Sequence, residues 1–553
     1  MKTASAAVLD GAAASNPAPQ NKLSTKAAGV VGAAVACSRV LGLVREQFFA
    51  HLFGAGYCTD VFVAAFRDPN LLRDLFAEGA LSTAFITTFS KKIATEGDAS
   101  AWRLANKMAT LVMVFMSAVT LLGIVFAPQL IALVAGGFSS EKAAMTVELT
   151  RLMFPFIFMV SLAALVMGML NAKNIFGMPA MASSFFNMGS IVTGISLAWW
   201  LEPHFGPRSL IGLGIGVLTG GLLQLGVQLP AVYRAGFRFR PDFGWRDDGV
   251  RQILLLMGPA VITASAVQVN VLVNGYFASQ LGNGAVSFLN YAFRLMQLPI
   301  GIFGVAVGTV TLPVVSRFAS ANDLAGVRTT LGKGIRLAFL LTVPCAIGLI
   351  FLAEPIVSLI FERGRFSYAS TLQTAAALKF YAAGLVAYSG IKVLAPAFYA
   401  LDKRYAPMFV SFASIALNFV LNKLFVEYLH FSFWGLALST SVVAALKFVT
   451  LYGLMVREAG DIETGALAKS IGKLVIASGL LVMVCAVAQH WLFANLEGMA
   501  LLSKLISVFA TIAAGVAVFG LAVYALKIEE ISDVVAMIER KFAGKRRMSS
   551  TPA

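Results

Sequence analysis

Residues 104–134 read LANKMATLVMVFMSAVTLLGIVFAPQLIALV, and Lys107 is the only charged residue among them. A helix of about 20 apolar residues crosses the hydrocarbon layer of a bilayer. Comparable apolar runs recur from residue 25 to residue 526. Because lipid offers the backbone no hydrogen-bond partners, such runs must satisfy their own amide groups as helices. The stretch therefore predicts an all-α polytopic membrane protein.

The composition of the whole chain agrees with this prediction. Of its 553 residues, 58% are hydrophobic and 13% are charged, which is outside the range of soluble globular proteins. The net charge of +16 would suit a nucleic-acid partner, but the basic residues are spread over many loops. We therefore predict no nucleic-acid partner. The four cysteines and four histidines show no zinc-ligand spacing, so no metal site is predicted.

The apolar runs predict about fourteen transmembrane helices. The second of them is rich in charged residues, but without it the charges of successive loops would not alternate. The predicted spans are 25–51, 59–90, 104–134, 146–171, 178–201, 209–233, 251–279, 285–316, 332–361, 370–400, 406–428, 434–456, 470–493 and 500–526.

The loop charges predict the orientation of the chain. With both termini in the cytoplasm, about 28 Lys and Arg residues fall in cytoplasmic tails and loops and about 5 in outer loops. The outer loops, such as 54–59 and 282–285, are short and nearly neutral. This asymmetry accounts for most of the basic charge, and it predicts that both termini are cytoplasmic.

A weak internal repeat predicts two lobes. The sequences FGAGYCTDVFVAAFR at 53–67 and LGNGAVSFLNYAFR at 281–294 each join a Gly-rich outer turn to an arginine-bearing span. The copies are six spans apart, so they share one orientation, as in parallel repeats. The predicted organisation is a disordered cytoplasmic tail at 1–24, an N-lobe of spans 1–6 at 25–235, a basic cytoplasmic linker at 236–250, a C-lobe of spans 7–12 at 251–458, spans 13 and 14 at 459–526, and a basic cytoplasmic tail at 527–553.

About ten basic residues remain inside the predicted spans. Each costs at least about 2.5–3.5 kcal/mol at a helix centre unless it is paired or hydrated. Arg151, Lys423 and Lys447 could instead lie near the interfaces and extend to water. The others are Arg39, Arg45, Arg67, Arg73, Arg294, Lys379 and Lys392.

The most informative of these charges lie in spans 1, 2 and 8. Arg39 and Glu46 are seven residues apart and therefore share one helical face. Span 2 carries Arg73 beside Asp74 and Glu78, and Arg294 lies near the start of span 8. An excess of arginine predicts an electropositive site. A single guanidinium group can donate hydrogen bonds to two phosphate oxygens at once. The predicted substrate is a phosphate or diphosphate.

Two other interpretations stay open at this point. The charges could form internal salt bridges that only hold helices together. A polyprenyl-phosphate enzyme is a further possibility, but the sequence has no GxSxG, Walker or HExxH motif. The outer loops are also too short to carry an acidic catalytic domain. We therefore predict a transporter and not an enzyme.

Several motifs resemble the MurJ (MviN) lipid II flippase family, which belongs to the multidrug/oligosaccharidyl-lipid/polysaccharide flippase superfamily. The resemblance runs in order from about residue 25 to residue 526. The motifs are SRVLGLVRE at 38–46, FGAG with Asp60, PNLLRDLFAEGALSTAF at 69–85, NAKNIFGMPA at 171–180, YAFRLMQLPIGIFGVAVGTVTLPVVSRFA at 291–319 and IKVLAPAFYALDKRYAP at 391–407.

The resemblance implies a specific architecture and substrate. Two six-helix lobes would enclose a central cationic cavity, and spans 13 and 14 would form a groove for the undecaprenyl tail of lipid II. The protein would lie in the bacterial inner membrane. By motif, the substrate-binding residues would be Arg39, Arg45, Arg73 and Arg294, and the acidic cavity or gating residues would be Glu46, Asp60 and Glu78.

The resemblance also implies partners and a source of energy. Lipid II and membrane lipids would be partners, with cell-wall synthesis enzymes as a further class. No cofactor is expected, and membrane potential or an ion gradient would drive transport. The alternatives are a flippase for another lipid-linked oligosaccharide of the O-antigen type and a non-transporting scaffold for cell-wall synthesis. The sequence departs from the family pattern at Asp74, where a second arginine is expected, and at Phe293 and Gln297, where some members carry acids.

Overall fold

The fold of the chain was obtained as a computed structural model, which describes residues 25–75 and 81–530. All regular elements among these residues are helical. Short π-helical segments include Ile300–Gly304 and Leu424–Tyr428. The α-helices are α1 Thr25–Phe53, α2 Tyr57–Leu72, α3 Ser82–Glu96, α4 Asp98–Val125, α5 Ala127–Val134, α6 Ser140–Met153, α7 Phe156–Ala172, α8 Gly177–Leu201, α9 Ser209–Gly226, α10 Leu229–Arg234, α11 Asp248–Ser279, α12 Ala285–Pro299, α13 Val305–Ser320, α14 Leu324–Phe351, α15 Ala353–Phe361, α16 Tyr368–Ala383, α17 Leu385–Ala400, α18 Tyr405–Lys423, α19 Trp434–Ala459, α20 Thr464–Trp491 and α21 Leu501–Ala525.

Ten of the described helical segments are long and apolar enough to cross a membrane, and the bent pair α16–α17 makes an eleventh. They correspond to predicted spans 3–6 and 8–14. The helices at predicted spans 1, 2 and 7 are α1, α2 and α11, and they do not meet the same test of length and composition. The α-helical membrane fold is therefore confirmed, whereas the count of fourteen spans stays a prediction.

The buried apolar residues form several clusters. We use N-lobe for α1–α10 and C-lobe for α11–α19. Three apolar clusters consist mainly of N-lobe residues, one mainly of C-lobe residues, and one of C-lobe residues together with the C-terminal helices α20 and α21. Each lobe also contributes to a cluster of the other: Ala50 of α1 packs in the C-lobe, and Val250 and Ile253 of α11 pack in the N-lobe. The ends of α1 and α11 therefore join the lobes.

Proline and glycine break the helix that carries Arg294. α12 ends at Pro299, which cannot donate a backbone hydrogen bond. The π-helical turn Ile300–Gly304 follows, and α13 continues from Val305. Local π-helical turns of this kind occur often at functional sites. The break lies between the two lobes, where it contacts α1.

The C-terminal hairpin, defined as α20 and α21, is attached to the C-lobe at both ends. At one end, the buried Arg336 of α14 pairs with Glu463 at 2.6 Å and with Glu530. At the other end, the buried Lys504 of α21 binds Glu362 at 2.9 Å and Ser358 at 2.8 Å. Because both cations are buried with their partners, separating the hairpin from α14 and α15 would leave uncompensated charges.

Candidate functional site between the lobes

Glu46 links an arginine of each lobe. Its Oε1 atom lies 3.1 Å from Arg45 Nη2 and 3.2 Å from Arg294 Nη2. The side chain of Glu46 is 8% exposed and that of Arg45 is 12% exposed, whereas that of Arg294 is 44% exposed. One carboxylate therefore faces two guanidinium groups. The three side chains keep a net positive charge, and Arg294 is the most exposed of them.

Aromatic rings hold Arg45 in place. Its guanidinium carbon lies 5.4 Å from the ring centre of Phe186 and 6.0 Å from that of Phe49. Such contacts favour a cation over the ring face. The buried Nε atom of Arg45 has no hydrogen-bond partner among the described residues. Arg45 is thus a cation held in one position, and its Nε–H group is an additional hydrogen-bond donor.

Arg39 lies farther along the same space. α1 and the broken helix α12–α13 run in opposite directions, since Glu46 meets Arg294 while Arg39 meets Gly301. A Cβ atom placed on Gly301 would lie 2.8 Å from Arg39 Nη1, so the glycine leaves room for the guanidinium group. Arg39 is exposed in this position. The spacing of seven residues on both helices places Arg39 about two turns from Glu46.

Arg73 is held by its neighbour Asp74. Arg73 Nη2 and Nε lie 3.0 Å and 3.2 Å from Asp74 Oδ1. Gln268 of α11 donates to Asp74 Oδ2 at 3.2 Å. Asp74, the departure noted in the sequence, therefore connects the two lobes and partly neutralises Arg73. Arg73 and Arg294 both lie close enough to Arg45 for their positive charges to repel it.

Asp60 lies apart from these arginines, fully buried where the lobes meet. Its carboxylate accepts from the backbone amides of Gly284 at 2.7 Å and Ser287 at 2.8 Å. It also pairs with Lys142 Nζ at 2.8 Å, and Lys142 binds Asn283 Oδ1 at 2.9 Å. Asp60 thus satisfies the free amides at the start of α12, as a capping residue does. It is a contact between lobes and does not line an accessible cavity.

The loop after α15 makes a second contact between the lobes on the same face. The backbone amide of Arg365 donates to His51 O at 2.9 Å, and its guanidinium group donates to the carbonyl oxygens of Phe205 and His204. Gly54 and Gly364 both have positive φ, and a Cβ on either would meet the opposing backbone within 2.6 Å. We call this side, with residues 51–60, 282–291 and 362–367, the gate face.

The structure brings together part of the predicted set. Arg45, Arg294 and Glu46 are in contact, Arg39 and Arg73 border the same region, and Asp60 lies at the gate face. Glu78 falls in residues 76–80, outside the described residues. Sequence reasoning missed Lys142 and Arg365, because both lie in short polar segments that resemble ordinary surface loops. Within the described ranges, no three His, Cys, Asp or Glu side chains are grouped to hold a metal ion.

Comparisons with known proteins agree on the family. The profile of the family described as "Lipid II flippase MurJ" matches residues 49–511. The chain is 35% identical over 464 residues to the lipid II flippase MurJ of Burkholderia cenocepacia, covering 82% of this chain and 88% of that protein. It is 36% identical over 434 residues to the probable lipid II flippase MurJ of Vibrio cholerae, covering 76% and 81%.

Solved structures show the same fold. A lipid II flippase MurJ in an inward closed conformation superposes with a TM-score of 0.69 at 24% identity, covering 89% of this chain and 98% of that one. An inward-facing multidrug resistance transporter of the MATE family superposes with a TM-score of 0.63 at 14% identity, covering 79% and 99%. Both likenesses concern the fold alone.

Proposed function

Because the chain belongs to the MurJ family of lipid II flippases, we propose that it moves lipid II from the cytoplasmic to the periplasmic leaflet of the bacterial inner membrane by alternating access. Members of this family are transporters and not enzymes. The observation that carries the proposal for this chain is the contact of Glu46 with Arg45 and Arg294. Through this contact, two cations from different lobes would be within reach of one diphosphate.

The charge balance of the site favours an anionic headgroup. Glu46 compensates only one of its two arginines, and Arg39 lies exposed along the same space. A diphosphate carries several acceptor oxygens, and charge-assisted hydrogen bonds to arginine are about twice as strong as neutral ones. Binding would therefore draw the lobes together around the headgroup. Cationic drugs, in contrast, would be repelled from this site.

The contacts at the gate face support the direction of transport. Asp60, Lys142 and Arg365 join the lobes on the side that the loop charges predict to be periplasmic. An inward-facing protein needs such contacts to close the periplasmic side while the headgroup enters from the cytoplasm. Both termini would then be cytoplasmic. Release of the gate-face contacts would open the site to the periplasm.

The drive for transport would come from membrane potential or an ion gradient. An inside-negative potential favours outward movement of an anion by about 2.3 kcal/mol per charge per 100 mV. The undecaprenyl tail would remain in lipid along the C-terminal hairpin, whose outward side chains include exposed leucine and valine residues. Enzymes of cell-wall synthesis would receive the lipid on the outer side.

Depletion of the protein in its host provides the main test. Inward-facing lipid II should accumulate, and wild-type protein should restore its export. Arg45→Ala and Arg294→Ala should fail to restore export at normal expression. Arg151→Ala is the matched control, because Arg151 also lies within a helix of the N-lobe but binds the Ile124 carbonyl away from the site. Export by both site variants would contradict the arginine mechanism.

The same experiment separates the alternatives. Unchanged lipid II on depletion, with accumulation of another lipid-linked oligosaccharide, would favour an O-antigen type of substrate. A scaffold would tolerate all three arginine variants as long as the fold is kept. Cysteine labelling at residues 283 and 240 tests the orientation, since residue 283 should react from the periplasm and residue 240 from the cytoplasm.

A further inference from the structure

A separate cavity lies where the linker enters α11. Its volume is about 430 Å³, and it is lined by Trp245, Arg246, Arg251, Leu254 and Leu255. It is far along α11 from Gln268, the residue of this helix that reaches Asp74. Seventeen residues of helix separate Arg251 from Gln268, a rise of about 25 Å. The cavity is therefore distinct from the arginines between the lobes.

The polar end of this cavity is cationic. Arg246 and Arg251 are exposed, and neither forms an ion pair within the described part of the chain. Arg251 lies in the first turn of α11 together with Asp248, which already complements the positive end of the helix dipole. The buried indole N–H of Trp245 has no acceptor among the described residues. The residues that line this cavity thus include two arginines and a tryptophan, and no carboxylate is among them.

The partly buried carboxylate of Asp247 is already compensated. Asp247 caps α11 by accepting from the Gly249 amide at 2.8 Å, and it binds Lys107 Nζ at 2.8 Å. Burial acts to raise the pKa of Asp247, but the hydrogen bonds from Lys107 and Gly249 outweigh it and hold the pKa below its usual range. Asp247 therefore does not serve as the counter-ion of Arg246 or Arg251.

The other end of the cavity is apolar and continues along α11. Leu254 is 48% exposed and Leu255 is 66% exposed, and Leu256 follows them. Phe243, 66% exposed, packs against Trp245 with ring centres 5.6 Å apart. Aromatic residues next to arginines are typical of the level of lipid headgroups. Charged donors followed by exposed leucines match a ligand that has a phosphate at one end and acyl chains at the other.

We propose that this cavity, which we call the linker site, binds the headgroup of an anionic phospholipid from the surrounding leaflet. Arg246 and Arg251 hold its phosphate, the Trp245 indole donates to a headgroup oxygen, and the acyl chains lie against Leu254 and Leu255. Since Val250 and Ile253 anchor the same turn of α11 in the N-lobe core, a lipid bound here stabilises the junction between the linker and the N-lobe.

Native mass spectrometry of the full chain in detergent tests the proposal, with dioleoyl phosphatidylglycerol, dioleoyl phosphatidylcholine and lipid II as probes. The wild type should bind one phosphatidylglycerol more tightly than phosphatidylcholine. Arg246→Gln with Arg251→Gln should weaken that first binding step about tenfold or more, which is about 1.4 kcal/mol or more, because both charged donors to the phosphate are removed. Trp245→Phe should weaken it by a smaller factor.

The matched control is Arg404→Gln with Arg457→Gln, which removes the same charge from two exposed arginines of C-lobe segments at the same end of the helices. It should leave the first binding step within about twofold of wild type. If both double variants lost the same affinity for phosphatidylglycerol, the proposal would be overturned, because binding would then depend on the overall surface charge and not on the linker site. No loss in the linker-site variant would overturn it outright. One-for-one displacement of phosphatidylglycerol by lipid II would also overturn it, since the cavity would then belong to the transport path.

Discussion

The carboxylate of Asp60 in α2 accepts the backbone amide of Ser287 in α12 at 2.8 Å. These two residues belong to the two copies of the internal repeat, so the repeat copies bind each other at the gate face. Asp60 also accepts from Gly284, the residue that precedes α12. A side chain of the N-lobe thus caps a helix of the C-lobe, and separation of the lobes would expose that helix end.

Removal of this cap should loosen the start of α12. In Asp60→Asn, amide hydrogen exchange over residues 283–290 should rise about tenfold or more, because hydrogen bonds to a charged group contribute about 1.5–3 kcal/mol. Hydrogen exchange read by mass spectrometry would measure this. Asp247→Asn is the control, since Asp247 caps α11 in a similar way but lies in the linker. Equal exchange at 283–290 in wild type and Asp60→Asn would exclude the capping role.

Substitution of Glu46 should lower the stability of the protein, whereas substitution of Arg294 should abolish transport. Glu46→Gln leaves the buried Arg45 without its carboxylate, so the melting temperature should fall, by a loss of about 3–5 kcal/mol in stability. Arg294→Gln should keep the melting temperature near that of wild type, because Arg294 is 44% exposed, yet abolish lipid II export. Thermal unfolding in detergent and export assays check both. An unchanged melting temperature in Glu46→Gln would show that Glu46 is not needed to stabilise the buried charge of Arg45.

Asp74 should weaken substrate binding by competing for Arg73. The pair is partly exposed, so its contribution is about 0.2–1 kcal/mol. Asp74→Asn should therefore tighten lipid II binding about two- to fivefold. Titration of purified protein with lipid II gives the dissociation constant. Weaker binding in Asp74→Asn would instead mean that Asp74 orients Arg73 for the diphosphate.

Gly364 should be essential for closure of the gate face. Its φ is +58°, and an added Cβ would lie 2.4 Å from His51 O. Gly364→Ala should separate the lobes there and increase labelling of an introduced cysteine at residue 55. Gly282→Ala is the control on the same face, since it has φ +91° but nothing within 4 Å of the added Cβ. Equal labelling in both variants would assign the effect to backbone strain and not to contact.

Much of the fold could be predicted because the apolar composition of a membrane-spanning helix is evident in its own stretch of sequence. Each apolar run must become a helix in lipid, so spans 3–6 and 8–14 were evident from the sequence. The charged helices α1 and α2 were harder, because their polar residues face other parts of the protein and lower the apparent hydropathy. Their place in the fold depends on contacts such as Glu46 with Arg294, which local sequence does not encode.

The site was predictable in its residue types but less so in its pairings. The spacing of Arg39 and Glu46 suggested a shared face, yet the structure pairs Glu46 with Arg45 and Arg294. Arg45 and Glu46 project from α1 in different directions, but the arginine side chain is long enough to reach the adjacent carboxylate. Lys142 gave no signal, since it follows two serines at the start of α6 and resembles a solvated lysine. Its partner Asp60 is 82 residues away in sequence.

The attachment of the C-terminal hairpin at both ends has a consequence for how the lobes can move. Arg336 and Lys504 join the two ends of the hairpin to α14 and α15. We therefore expect the C-lobe and the hairpin to move together relative to the N-lobe. A lipid whose tail rests on the hairpin would be stationary relative to one wall of the site, and only the wall carrying Arg39, Arg45 and Arg73 would sweep past its headgroup.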